Sequence, residues 1–241
     1  MSILKIAKST LMLGLMLVAG AACCSKNVTK IPSIKYSKPV SADQAVVYVQ
    51  QFIQVEDMPM PMMYTGTGFG ILHKMDTTYV ITAGHLCTGL SNHPLTGEEP
   101  PPHTASFVLK DRRGVDYNAD LVALDEEMDL CLLKTKNRLK ITKISKHEPE
   151  VGDNIHYSGY PTGLFLPGGG LNYFDGRFSG TGDNNNHLYG IPVTSGASGS
   201  PVYNDKGEVI GMISAVMVEF HHMAIGTGRE NILAFINSVK E

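Results

Sequence analysis

Tryptophan is absent from this 241-residue chain, and no long run of acidic or basic residues interrupts it. The formal net charge is only −3, so nothing in the composition indicates nucleic acid or an anionic membrane surface as a partner. Cysteine occurs four times, and no set of histidines and cysteines has the spacing of a zinc site. We therefore expect no metal and no cofactor. The hydrophobic fraction of 43% is enough for one large core or two small ones.

The N-terminus carries a short apolar segment. Two lysines precede an uncharged apolar run at residues 11–22, which ends in small residues just before Cys23. This pattern is typical of a secretory signal, and the run is short for a membrane-spanning helix. We predict a signal peptide at residues 1–22 and a tether at residues 23–44, where two prolines interrupt a stretch with little periodicity.

Cys23 is a candidate for lipidation, because small residues before it resemble a bacterial lipoprotein box. Gly20 stands where that box usually has leucine, so ordinary cleavage is the alternative. The prediction is an exported protein, either a periplasmic or cell-envelope lipoprotein or a secreted chain. A lipid anchor on Cys23 is the one membrane contact expected.

A serine between two glycines stands out in the second half of the chain. The run is Ser195-Gly196-Ala197-Ser198-Gly199-Ser200-Pro201. Glycine permits a tight turn, which would expose the Ser198 hydroxyl and aim the N–H groups of Gly196 and Ser198 at one spot. A developing oxyanion requires such a pair of donors. A surface turn rich in glycine and serine is the bland alternative, because a serine hydroxyl is a poor nucleophile without a base.

A histidine and an acid that suit such a serine lie upstream. His85 follows a β-branched strand and a turn of small residues, Thr82-Ala83-Gly84, and Asp129 heads an apolar strand. His73 is a distant second candidate for the base, since no small-residue turn precedes it. Three acidic residues just before Asp129 do not head an apolar strand, so Asp129 is the preferred partner.

These three segments, in this order, resemble the active-site blocks of trypsin/chymotrypsin-like serine proteases. They are Thr82-Ala83-Gly84-His85, Asp129-Leu130-Cys131-Leu132-Leu133 and Gly196-Ala197-Ser198-Gly199-Ser200-Pro201. The resemblance covers roughly residues 45–240. It implies an all-β fold of two six-stranded antiparallel barrels, with His85 and Asp129 at residues 45–147 and Ser198 at residues 148–241 before a C-terminal helix on the second barrel. It also implies the triad roles of base, orienting acid and nucleophile, for which chymotrypsin is the standard example.

Further expectations rest on that resemblance. Ser214 matches a position whose hydroxyl commonly supports the buried aspartate. Val193, Ile213 and Ala215 match the walls of the specificity pocket, and their small apolar side chains indicate a preference for a small aliphatic residue before the scissile bond. Ala197 replaces the aspartate that pairs with a newly cut N-terminus in the digestive enzymes, so no zymogen of that kind is expected.

Cys87 and Cys131 lie two residues after His85 and Asp129 respectively. Side chains two apart on a strand share a face, so bringing His85 to Asp129 would also bring the cysteines together. A disulfide and two free buried cysteines are equally compatible with this spacing.

We predict a serine endopeptidase that acts on a protein or peptide substrate. The alternative is a catalytically silent binding module on a protease fold at the cell envelope.

Overall fold

The computed structural model describes residues 41–90, 99–161, 170–217 and 220–240, and within them the chain forms two closed antiparallel barrels. The first barrel comprises β1 Val46–Val55, β2 Met62–Lys74, β3 Thr77–Ala83, β4 His103–Lys110, β5 Asp116–Asp125 and β6 Leu130–Thr135. The second comprises β7 Asn154–Gly159, β8 Asn172–Thr181, β9 Asn186–Gly190, β10 Pro201–Tyr203, β11 Val209–Met217 and β12 Phe220–Gly228. The helix α1, Arg229–Lys240, ends the described chain.

Both barrels have the same strand order. In the first, the neighbours run β1-β2-β3-β6-β5-β4 with β4 closing on β1, and in the second they run β7-β8-β9-β12-β11-β10 with β10 closing on β7. Closure removes the exposed edges that an open sheet would present. The predicted fold class, two six-stranded barrels with a C-terminal helix, is confirmed.

Strand β1 is buried on both of its faces over most of its length. Val47 and Val49 pack in the core of the first barrel, whereas Val46 and Tyr48 pack against Tyr160 of the second half of the chain. Because alternate side chains point to opposite faces, one strand serves both the barrel interior and the contact between the barrels.

Helix α1 closes a core that both barrels share. Ile232, Phe235 and Ile236 lie on one face of the helix and pack with residues of both barrels, among them Leu130 and Met212. The sequence predicted packing on the second barrel alone, so the observed contact is broader. No helix in the described ranges is long and apolar enough to cross a membrane.

The folded part begins slightly before the predicted boundary at residue 45. Ser41–Ala45 form a 3-10 helix, and Asp43 within it is 2% exposed. The predicted signal peptide, the candidate lipidation site Cys23 and the tether before residue 41 lie outside the described residues.

Candidate active site

The pairing of β3 with β6 brings His85 and Asp129 to one edge of the first barrel. The two strands are antiparallel, with Ala83 opposite Leu130, so the end of β3 adjoins the start of β6. Gly84 follows β3, and a Cβ at this position would approach the Asp129 carbonyl carbon to 2.9 Å. Glycine therefore permits the close contact that puts the next residue, His85, beside Asp129.

The Asp129 carboxylate binds His85 through both its backbone and its ring. Oδ1 accepts from the His85 N–H at 2.8 Å, and Nδ1 of His85 lies 3.0 Å from Oδ1 and 3.1 Å from Oδ2. Since an ionised carboxylate only accepts, Nδ1 carries the hydrogen and Nε2 is left as the acceptor. The His85 side chain is 48% exposed, which leaves Nε2 open to approach.

The alternative base and acids lie elsewhere. Nε2 of His73 is 2.7 Å from the carbonyl of Leu139. His73 pairs with Thr78 at the start of β3, whereas Asp129 adjoins the other end of that strand. Asp125 accepts from the N–H of Met128 and so caps the turn that precedes Asp129. The structure thus places His85, and not His73, next to the acid that the sequence selected.

A disulfide joins Cys87 to Cys131. Both sulfurs are buried, with Cys87 5% and Cys131 0% exposed. Of the two arrangements that the spacing allowed, the structure therefore has the paired one. The bond ties the segment that carries His85 to the one that carries Asp129.

Ser198 lies in a turn that two glycines make possible. Gly196 and Gly199 have φ angles of 88° and 84°, the left-handed region that glycine adopts without strain. A Cβ on Gly199 would overlap the carbonyl oxygen of Thr67. The turn is held to β11 because Gly199 N–H donates to Ile213 O at 2.7 Å and Ile213 N–H donates to Ser200 O at 2.9 Å.

From Gly196 to Ser200, two N–H groups have no acceptor among the described residues. The N–H groups of Ala197, Gly199 and Ser200 all donate to backbone carbonyls, whereas those of Gly196 and Ser198 donate to none of them. These are the two amides that the sequence selected as oxyanion donors. Ala197 between them is 0% exposed and belongs to the apolar core of the second barrel.

The Ser198 hydroxyl donates to the backbone carbonyl of Ser214 at 3.1 Å. Ser214 is skipped where the register of β11 and β12 shifts between Ile213 and Ala215, so its carbonyl is available. The predicted role of the Ser214 hydroxyl is wrong, because this group contacts the Thr227 hydroxyl at 3.3 Å and not Asp129. Thr227 in turn donates to the carbonyl of Met128 at 2.8 Å. The two hydroxyls therefore hold the backbone just before Asp129 and not its carboxylate.

The three predicted pocket residues do not form one lining. Ile213 is 1% exposed within the core of the second barrel, and Val193 packs against the same cluster. Ala215 is exposed. The expectation for Ile213 is therefore corrected, since a side chain buried in the barrel core offers a substrate no surface, whereas Ala215 does.

Burial also shifts the pKa of three ionisable groups that do not belong to the candidate triad. Burial raises the pKa of the Asp43 carboxyl above its ordinary value, against the opposing effect of a hydrogen bond from Ser158 at 3.2 Å. Burial likewise lowers the pKa of His156 and of His187 below the usual histidine value. Neutral forms are favoured in each case, because a low-dielectric interior disfavours charge.

Sequence reasoning missed Thr67 and Thr227, both buried near the turn that carries Ser198. The local signal for Thr67 was its position between Gly66 and Gly68, where a strand without side chains admits another backbone closely. Thr227 had no comparable signal.

Comparison with known proteins found a matching family model and similar proteins. The family model described as trypsin-like peptidase domain matches residues 66–212. A probable periplasmic serine endoprotease, DegP-like, from Rhizobium meliloti (strain 1021) is 30% identical over 159 residues, which are 63% of this chain and 28% of that protein. The periplasmic pH-dependent serine endoprotease DegQ of Escherichia coli (strain K12) is 26% identical over 165 residues, 64% of this chain and 32% of that protein.

A solved structure shares the fold. The crystal structure of the serine endoprotease from Yersinia pestis superposes with a TM-score of 0.63 at 21% identity, over 82% of this chain and 63% of that one. The chain matches no more than 32% of the length of the two curated relatives described.

Proposed function

The chain belongs to the family of trypsin-like peptidase domains, and we propose that it is a serine endopeptidase. The observation that carries the proposal is the His85–Asp129 pair, in which Nδ1 of His85 faces the carboxylate and Nε2 has no partner among the described residues. The second part of the site is the turn with the unpaired amides of Gly196 and Ser198. Gly66 links the two parts, because a Cβ there would meet both the Leu86 side chain and, at 3.0 Å, the Ser198 carbonyl.

In the proposed reaction, Ser198 attacks the peptide carbonyl and forms an acyl-enzyme. His85 takes the hydroxyl proton on Nε2 and later gives it to the leaving amine, while Asp129 fixes the ring and stabilises its charged form. The Ser198 hydroxyl leaves the Ser214 carbonyl by rotating about its side-chain bond. The Gly196 and Ser198 amides hold the oxyanion, and one such donor is typically worth about 3–4 kcal/mol of barrier.

The proposed substrate is an extended segment of a protein or peptide. β10 ends its pairing with β11 at Met212, so the edge of β11 from Ala215 to Met217 pairs with β12 alone among the described residues. An extended chain can add to this edge by backbone hydrogen bonds. The exposed Ala215 and the small Val193 favour a small aliphatic residue before the scissile bond, and a peptide library that selected a charged residue there would contradict this preference.

We further propose that the chain is exported, with a signal peptide at residues 1–22, a tether before the barrels, and Cys23 as the lipid attachment point. The buried disulfide supports export, because such bonds persist in oxidising compartments. Mass spectrometry of the processed chain tests this. A lipid on Cys23 supports the anchor, an unmodified processed N-terminus supports secretion, and an unprocessed chain contradicts both.

A fluorophosphonate probe tests the activity without knowledge of the substrate, since it reports any activated serine. Labelling of the wild-type chain should be lost in Ser198→Ala and reduced severely in His85→Ala. Ser195→Ala is the matched control, because this exposed serine lies in the same turn, and it should label normally. An inert, folded wild type would refute the proposal and favour a silent binding module.

A further inference from the structure

Thr67 in β2 uses its N–H and its hydroxyl at the contact between the two barrels. Its N–H donates to Ser198 O at 2.8 Å, and its hydroxyl donates to Gly196 O at 3.0 Å. The same hydroxyl accepts from the N–H of Tyr160 at 3.0 Å, and the Thr67 carbonyl accepts from the Thr82 hydroxyl at 2.7 Å. Thr67 is 0% exposed, so each of these bonds is made out of water.

Two of these bonds fix the peptide groups on either side of the Ser198 N–H. The Gly196–Ala197 peptide is held at its carbonyl by the Thr67 hydroxyl and at its N–H by Thr194 O, 3.1 Å away. The Ser198–Gly199 peptide is held at its carbonyl by the Thr67 N–H, and its N–H donates to Ile213 O. A peptide group is rigid and planar, so fixing both ends fixes its orientation.

The peptide between them joins Ala197 to Ser198. Its carbonyl accepts from Ser200 N–H at 2.9 Å, and its N–H is the unpaired amide of Ser198. Gly196, with φ of 88°, has no Cβ, so its backbone resists rotation less than that of Ala197 or Ser198. The bond from Thr67 to the Gly196 carbonyl therefore acts at a residue whose backbone would otherwise rotate easily.

We propose that Thr67 is a positioning residue that holds the oxyanion-binding amides in their active orientation from the opposite barrel. The inference rests on the proposed peptidase function and deepens it. Without the hydroxyl, the Gly196 carbonyl and the Tyr160 N–H both lose a partner, and the Gly196–Ala197 peptide is free to rotate. Misplaced amides bind the oxyanion of the transition state less well but change substrate binding little. The variant should therefore have a lower kcat.

Thr67→Val tests this, because it removes the hydroxyl and keeps the shape and the backbone N–H. We expect kcat per active site, counted by fluorophosphonate titration, to fall by about 10- to 100-fold with KM nearly unchanged. Thr67→Ser retains the hydroxyl and should restore most of kcat.

Thr78→Val is the matched control. Thr78 is also 0% exposed in the first barrel, and its hydroxyl also makes two bonds, to Asn137 O at 2.6 Å and from Leu139 N–H at 3.0 Å. A loss of stability alone would affect both valine variants alike and would leave kcat per titrated site unchanged. Equal kcat in Thr67→Val, Thr78→Val and an active wild type overturns the inference, whereas a wild type inert to the probe overturns the proposed function itself.

Discussion

Removal of the disulfide between Cys87 and Cys131 should destabilise the protein and leave its chemistry largely intact. The bond joins cysteines 44 residues apart in the sequence. By loop entropy, replacing both cysteines with alanine lowers the free energy of unfolding by about 4 kcal/mol. For a folded region of this size, such a loss corresponds to a fall in Tm of about 8–16 °C.

Activity should persist wherever the double variant is folded, because other contacts hold His85 beside Asp129. β3 pairs with β6 up to Ala83 and Leu130, and the backbone N–H of His85 binds the Asp129 carboxylate. Urea unfolding measures the stability, and kcat/KM at a temperature well below the new Tm measures the chemistry.

The control is the wild type in dithiothreitol without denaturant, which should keep its disulfide because both sulfurs are buried. A stability loss below about 1 kcal/mol, or an inactive but folded double variant, would refute the reasoning.

Three further predictions concern other parts of the structure. Gly199→Ala should lose activity and at least about 2 kcal/mol of stability, because its Cβ would overlap Thr67 O. Gly152→Ala is the control, since Gly152 also has a positive φ but nothing within 4 Å of the added Cβ, and it should lose less stability. Equal urea midpoints for the two variants would contradict this. The free energy of unfolding should fall as the pH drops below 6.5, because burial lowers the pKa of His187 in the folded state and the unfolded chain then binds more protons. Urea unfolding of His187→Gln should show a flatter dependence of this free energy on pH. The same pH dependence in His187→Gln and wild type would contradict the prediction. Asp43→Asn should raise stability at neutral pH, because burial raises the pKa of Asp43 and so disfavours its charged form in the folded state. The gain should shrink toward pH 4, where the native carboxyl protonates. A thermal melt that shows no gain in Tm at pH 7 would contradict the prediction.

The sequence was most informative where a function depends on a local pattern. His85 follows a strand and a small-residue turn, and Asp129 heads a strand. The sequence alone therefore predicts that each lies at the end of a strand. Residues two apart on a strand point to the same face, so the sequence also predicted that Cys87 and Cys131 lie close to each other. The pairing itself required the structure.

What the sequence did not reveal depends on contacts between distant segments. Thr67 meets Gly196 across 129 residues. The glycines on either side of Thr67 indicate that another backbone comes close, but they do not predict which segment it belongs to. The Ser214 hydroxyl was expected, from the family resemblance, to support Asp129. The contacts of Ser214 instead follow from the register shift between β11 and β12, which no local pattern in the sequence marks. Ile213 was assigned to the pocket from the family resemblance, whereas its side chain is buried in the core of the second barrel.

The central claim is that Ser198, His85 and Asp129 act as one unit, and a double-mutant comparison tests it most directly. The measurement is kcat/KM on an unfolded protein substrate for Ser198→Ala, His85→Ala and the double variant. The account predicts that each single change removes most of the activity and that the double variant loses little more, because neither residue works without the other. Losses that add in the double variant would contradict the claim.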